Sequence, residues 1–138
     1  MKEVSSGAFS FRSYKIKEFH FKEPDQSELN LKFDVSGIYY PSESKYNLEF
    51  TFRAFTKNDT QQPFLAASVD AIFSFEKTQS VEQIPEYFYV NSIAIVFPYL
   101  RAFVTTLTSV ANTKPLILPI LNLTRLGETL KSKTTTSS

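Results

Sequence analysis

The chain has 138 residues, 42% hydrophobic and 21% charged, which is the length of one domain with enough apolar material for an ordinary single core. It has no cysteine, which excludes disulfides and thiolate metal sites and is what a reducing cytosol permits. The net charge of +1 hides an asymmetry: residues 1–90 hold ten Lys or Arg against thirteen Asp or Glu, and residues 91–138 hold five against one. Those five, Arg101, Lys114, Arg125, Lys131 and Lys133, are spread out rather than clustered, which argues against a nucleic-acid partner. No apolar stretch behind Lys2 marks a secretory signal, and no run approaches the roughly 20 residues needed to cross a bilayer. A cytoplasmic protein without membrane insertion is expected.

Residues 8–21 change phase twice: Phe9 and Phe11 are odd, Tyr14 and Ile16 even, Phe19 and Phe21 odd again. Two bulges or bends in one strand reconcile this. A polar connection containing Pro24 follows. Leu29, Leu31, Phe33, Val35, Gly37 and Tyr39 then alternate without error as a second strand, with Asn30, Lys32, Asp34 and Ser36 on the polar face. A turn over 39–45 leads to a third strand through Tyr46, Leu48, Phe50, Phe52 and Ala54. Turn chemistry over 57–63 precedes a fourth, 64–75, with Val69, Ala71, Phe73 and Phe75 on one side. The 14 Phe and 7 Tyr suit half-buried strands, and an excess of them would suit binding grooves.

After a polar link, a long helix is expected to begin near Pro85, with Glu86 suited to its first turn. Within it, Ile93, Phe97, Leu100, Val104, Leu107 and Ala111 recur at spacings of four and three, while Arg101, Thr105, Thr108 and Asn112 share another side. Ile93, Ile95 and Phe97 also alternate as a strand would, but alternation fails at Leu100. Pro98 predicts a kink near Ala94 to Pro98, and Asn112 suits the left-handed stop. Pro115 and Pro119 hold an apolar run, Leu116 to Leu123, extended. Residues 124–130 make a short second helix interrupted by Gly127, and 131–138 a polar tail expected to be disordered. The chain therefore reads as one domain over 1–130, of the α+β class: a four-stranded antiparallel sheet, a long kinked helix, a proline-rich loop and a short second helix.

Chemistry is sparse. His20 is the only histidine, and the three glycines cannot build a phosphate-cradling loop. No acid–base pair is indicated among the carboxylates. No catalytic residue, metal site or cofactor is assigned, and an enzyme is not expected.

Phe97 to Arg101 reads FPYLR, and the proline-bounded run after the helix reads PLILPILNL (115–123). Both resemble the SecB family, export chaperones of the bacterial Sec pathway, whose long helix carries FPYAR or SPYLR and whose following loop has the pattern P-x-L-x-L-x-P-x-N-F. Pro115, Leu116, Leu118, Pro119, Asn122 and Leu123 resemble that pattern, with leucine in place of phenylalanine. Residues 72–75 (IFSF) resemble the family's G-I/V-F-x-I strand end, and 19–24 (FHFKEP) its F-E-x-P. The resemblance runs from about Phe9 to Leu130.

It implies a nucleotide-free holdase, a homotetramer built as a dimer of dimers, which binds unfolded polypeptides or preproteins for export and translocation. A client groove is assigned to Phe19, Phe21, Pro24, Leu29, Leu31, Phe33, Leu121, Leu123, Leu126 and Leu130. The subunit interface is assigned to Arg101, Thr105, Thr108 and Asn112. Glu18 resembles one acidic position that docks the Sec motor, but Lys22, Ala66 and Ala67 stand where the others would align, so weak motor binding is expected. Two alternatives are a SecB-like chaperone dedicated to one client, such as a toxin–antitoxin pair, and a small-molecule-binding α+β protein.

Overall fold

A computed structural model describes residues 8–25, 28–77, 79–111 and 113–137. Five strands form one sheet in the order β1-β4-β3-β2-β5: β1 (Phe9–Phe21), β2 (Leu29–Tyr40), β3 (Lys45–Thr56), β4 (Leu65–Phe75) and β5 (Thr134–Thr136). The helices are α1 (Glu86–Val110) and α2 (Leu123–Ser132).

The first four strands pair antiparallel, as their alternation requires. β2 and β3 run in unbroken register from Leu29↔Thr56 to Tyr40↔Lys45, around a turn whose Ser44 adopts the left-handed conformation (φ 50°). β1 pairs with β4 with register shifts between Phe11 and Ser13 and between Ile16 and Glu18. These are the two points at which its apolar residues change parity.

β5 departs from the expected architecture. It lies in the segment read as a disordered tail, and it pairs parallel to β2 at Gly37↔Thr134 through Tyr39↔Thr136, making the sheet mixed. Side-chain hydrogen bonding holds it. The Tyr46 hydroxyl, buried beneath Gly37, lies 2.5 Å from Thr134 Oγ1, and Thr134 Oγ1 donates to the Leu130 carbonyl (2.7 Å). A Cβ on Gly37 would sit 1.9 Å from that tyrosine oxygen, so this close approach needs glycine.

The core lies between one sheet face and α1. Tyr46, Leu48, Phe50 and Phe52 of β3 and Val69, Ala71 and Phe73 of β4 are fully buried against Phe88, Ile93, Val96, Leu100 and Val104. Phe88 is the aromatic centre, edge-on to Phe9 (4.9 Å) and Tyr46 (4.8 Å). The buried stripe of α1 advances by fours through Phe88, Ser92, Val96, Leu100, Val104 and Thr108, and so departs from the expected face at Phe97, Leu107 and Ala111. Ser92 and Thr108 tolerate burial because their hydroxyls donate to helix carbonyls, Tyr89 and Val104 respectively.

α1 continues through Pro98 without interruption. At 25 residues it is long and apolar enough to cross a bilayer by length and composition, contrary to the expectation that no such run exists; here one face packs on the sheet. α2 is preceded by Asn122, whose side chain accepts a hydrogen bond from the Arg125 N–H (3.0 Å) and caps it, and the helix is not interrupted by Gly127. That glycine is buried against α1, where a Cβ would meet Val90 Cγ2 at 2.6 Å.

Candidate functional site: an apolar cleft at the C-terminal end of the long helix

Between α1 and α2 the chain returns along the helix in an extended run. Three hydroxyls fasten its start. Thr108 Oγ1 accepts the Leu116 N–H (2.9 Å), Thr105 Oγ1 donates to the Leu116 carbonyl (3.1 Å), and Thr113 Oγ1 donates to the Thr108 carbonyl (2.8 Å). Both backbone groups of Leu116 are thus satisfied by helix side chains, although the two prolines limit regular pairing. Leu118 is buried further on, whereas Ile117 and Ile120 are exposed.

Across from this fastening, the β1–β2 connection turns beneath Phe64, held by a hydrogen bond from the Lys22 N–H to the Phe64 carbonyl (2.7 Å). Between the two lies an open cleft of about 590 Å³. Phe21, Pro24, Leu29, Phe64, Pro115 and Leu116 supply its apolar lining. Glu23 and Asp25 stand on one wall, Lys114 on the other, with Thr108 and Thr113 at the base. Among the described residues, none of these three charges has an ion-pair partner.

The cleft brings together three of the residues assigned to a groove, Phe21, Pro24 and Leu29, and adds Phe64 and Leu116. The others lie elsewhere. Phe19 is exposed and packs edge-on to Phe103 (5.4 Å). Leu31 and Phe33 are half-buried on the core, Phe33 against Phe52 and Phe97. Leu121, Leu123 and Leu126 are half-buried on the core, and Leu130 is wholly inside it, because α2 lies back across α1 and β2. Leu130 is therefore a core residue and does not line a groove. The sequence pattern places Phe64 as the first residue of a strand, which hides its place in the cleft. Its position next to Pro63 is the available signal of a connection.

The residues expected at a subunit face do not form one open strip. Arg101 is exposed, but Thr105 is half-buried and Thr108 buried, and both hold the loop of their own chain. Asn112 lies outside the described residues. A different strip is open: Tyr14 packs on Tyr99 (4.3 Å) and Phe19 on Phe103, and Tyr14, Phe19 and Tyr99 are all substantially exposed.

On the outer sheet face, Glu18 borders a small polar hollow of about 180 Å³ with Lys17, Glu49, Arg53 and Ala66. Its charges are largely paired within the chain, Lys17 with Glu49 (2.6 Å) and Arg53 with Asp34 (2.9 Å), and the Glu49 carboxylate holds the Lys17 pKa above its ordinary value. Ala67, aligned with a docking position, points the other way into the core. Among the described residues, no group of three or more His, Cys, Asp or Glu is placed to hold a metal ion.

Residues 7–132 match the family described as preprotein translocase subunit SecB. The chain belongs to the SecB family. It is 31% identical over 123 residues to an uncharacterized protein, MJ0357, of Methanocaldococcus jannaschii, covering 83% of this chain and 79% of the other. In structure it resembles the SecB-like chaperone Rv1957 of Mycobacterium tuberculosis, solved with a ChAD peptide from the HigA1 antitoxin: TM-score 0.59, 21% identity, 82% of this chain and 90% of that one. A protein of unknown function from Streptococcus agalactiae aligns with a TM-score of 0.50 and 7% identity, over 82% of this chain and 98% of the other. These two structural likenesses speak to the fold.

Proposed function

We propose that this SecB family member is a non-enzymatic holdase that keeps unfolded polypeptides soluble by seating their apolar side chains in the cleft between the β1–β2 connection and the loop after α1. The observation that carries this reading is the cleft itself. An open apolar hollow of about 590 Å³ has room for several side chains, and its walls are aliphatic and aromatic surfaces that accept many sequences. The exposed Ile117 and Ile120 extend apolar surface along the same loop. Each apolar side chain taken fully out of water contributes roughly 1.5 to 3 kcal/mol, so a few seated residues offset the cost of ordering a bound segment.

The test is suppression of aggregation of an unrelated, chemically denatured protein by near-stoichiometric chain without nucleotide. Suppression supports the reading, and aggregation at the uncatalysed rate removes it. A second reading is a chaperone dedicated to one client, favoured by two observations. The structural relative Rv1957 is described with an antitoxin peptide, and the outer face at Glu18 is charge-paired rather than acidic. Recovery of one bound polypeptide rather than many from the native cell selects it over general export.

A cytoplasmic setting and self-association belong to the same proposal. We place the subunit contact on the exposed strip of Tyr14, Phe19 and Tyr99, because aromatic surface of that extent is costly to leave in water.

A further inference from the structure

We infer that this protein also docks on anionic lipid surfaces, with Val110, Ile117 and Ile120 entering the acyl boundary and Arg101, Lys114 and Arg125 meeting the headgroups; this does not depend on the holdase reading. The three aliphatic side chains are the most exposed large hydrophobics among the described residues, at 76%, 66% and 99%, against 57% for Phe19, the most exposed aromatic. All three belong to one continuous piece of chain, the end of α1 and the loop after it. No Asp or Glu occurs between Glu86 and Glu128, whereas three cations do: Arg101, Lys114 and Arg125. Each of the three is exposed, and among the described residues none has an ion-pair partner.

The fold lays these residues along one ridge. The loop is fastened at Leu116 to Thr105 and Thr108, and Gly127 of α2 is buried against Val90, so the chain between them runs back along α1 for about 25 Å. Ile117, Ile120 and Arg125 follow that path in order, with Val110 and Lys114 at its start. Arg101 stands one helical turn before Thr105, on the side of α1 that carries the loop. Glu23 and Asp25 stand across the cleft, on the β1–β2 connection and off the ridge. Water surrounds Ile120 almost completely, a cost that falls away when the side chain enters an acyl boundary. An anionic surface attracts each nearby cation over about a Debye length, and the long Lys and Arg stems let the charge stay at headgroup level while the aliphatic tips go deeper. A nucleic acid would use the cations but leave the aliphatic side chains in water. Because α1 itself stays packed on the sheet, the contact is with the surface of a membrane and not across it.

The chain has no Trp, so Ile120→Trp supplies a single emission reporter on the ridge, and Ser42→Trp a control in the exposed turn between β2 and β3, at the far end of the sheet from the loop. The probe is a large unilamellar vesicle of equal parts phosphatidylglycerol and phosphatidylcholine, with pure phosphatidylcholine as the comparison. The full chain should co-sediment with the anionic vesicles at about 0.05 M salt, about tenfold or more better than with the neutral ones, and should be released at about 0.5 M. Emission from Ile120→Trp should shift to the blue on binding, and emission from Ser42→Trp should not. Ile117→Ser with Ile120→Ser should lower the partition coefficient about tenfold or more, and Arg101→Gln with Lys114→Gln and Arg125→Gln should erase the preference for anionic vesicles. Circular dichroism checks that each variant is folded. Absence of co-sedimentation overturns the inference, as does equal binding to the two kinds of vesicle, or an Ile120→Trp spectrum that vesicles leave unmoved. Suppression of aggregation is scored separately: vesicle docking without it removes only the holdase reading, and suppression without docking removes only this inference.

Discussion

Tyr46 shows how one side chain ties the end of the chain to its core. Its ring is fully buried against Phe88, while its hydroxyl reaches past Gly37 to the only hydroxyl of β5 that is not exposed, that of Thr134. Loss of water around the phenol raises its pKa, with the Thr134 hydrogen bond acting in the opposite sense. Burial also raises Tyr39 and pushes Tyr89 up to about 12 from an ordinary 10.0. A phenol raised on folding supports the folded state fully below its unfolded pKa, near 10, and that support is lost as pH climbs through the folded value. Stability should therefore be insensitive to these groups near neutrality and fall between about pH 10 and 12. Urea midpoints at pH 8 and pH 11 measure the fall, and Tyr89→Phe should make it shallower; an identical fall in the variant would remove Tyr89 as a contributor.

The secondary elements divide into those whose residues announce their environment and those that depend on a distant partner. β1 is of the first kind, because each change of parity along Phe9, Tyr14 and Phe19 coincides with or adjoins a register shift. β2 and β4 are also legible, since strict alternation leaves one buried face, and so is the Tyr46-to-Ala54 face of β3, although Thr51 and Phe55 of its other face are buried too. β5 is of the second kind. Three threonines have no apolar pattern, and they form a strand only because β2 offers a partner and Tyr46 a hydroxyl. The α1 stripe was legible at Ile93, Leu100 and Val104 but not at Ser92 or Thr108, whose polarity conceals their burial. Half of the cleft was legible from Phe21, Pro24 and Leu29. The α2 leucines misled because helical spacing alone cannot tell a groove wall from a core face. The structure separates Leu130, fully buried, from half-buried Leu126. Leu130→Ser should cost about 3 to 5 kcal/mol, a cavity together with an unpaired hydroxyl, and Leu126→Ser clearly less. Urea denaturation of the two single variants checks the order, and equal costs would contradict it.

At the scale of the molecule, one sheet face and one side of α1 close the core, and the open surfaces among the described residues include the cleft, the aromatic strip along β1 and α1, and the charge-paired outer sheet face. The strip predicts self-association, so light scattering at micromolar concentration should give a mass above one chain, and Phe19→Ser with Tyr99→Ser should lower it without unfolding. A monomeric parent would contradict the assignment. The outer face predicts weak binding to a Sec motor with little gain at low salt, because Lys17–Glu49 and Arg53–Asp34 leave little net field to steer a partner. Tight, salt-sensitive binding by anisotropy titration would contradict that. The cleft carries the central claim. Pro24 and Pro115 both line it, Pro24 half-buried and Pro115 exposed, and neither is a core residue, so Pro24→Asp with Pro115→Asp introduces charge without touching the buried core. The decisive measurement is light scattering from an aggregating denatured protein in the presence of the parent chain or of this double variant, each with matched circular dichroism. The account predicts that the parent suppresses aggregation and the variant largely fails to; equal suppression by both would contradict it.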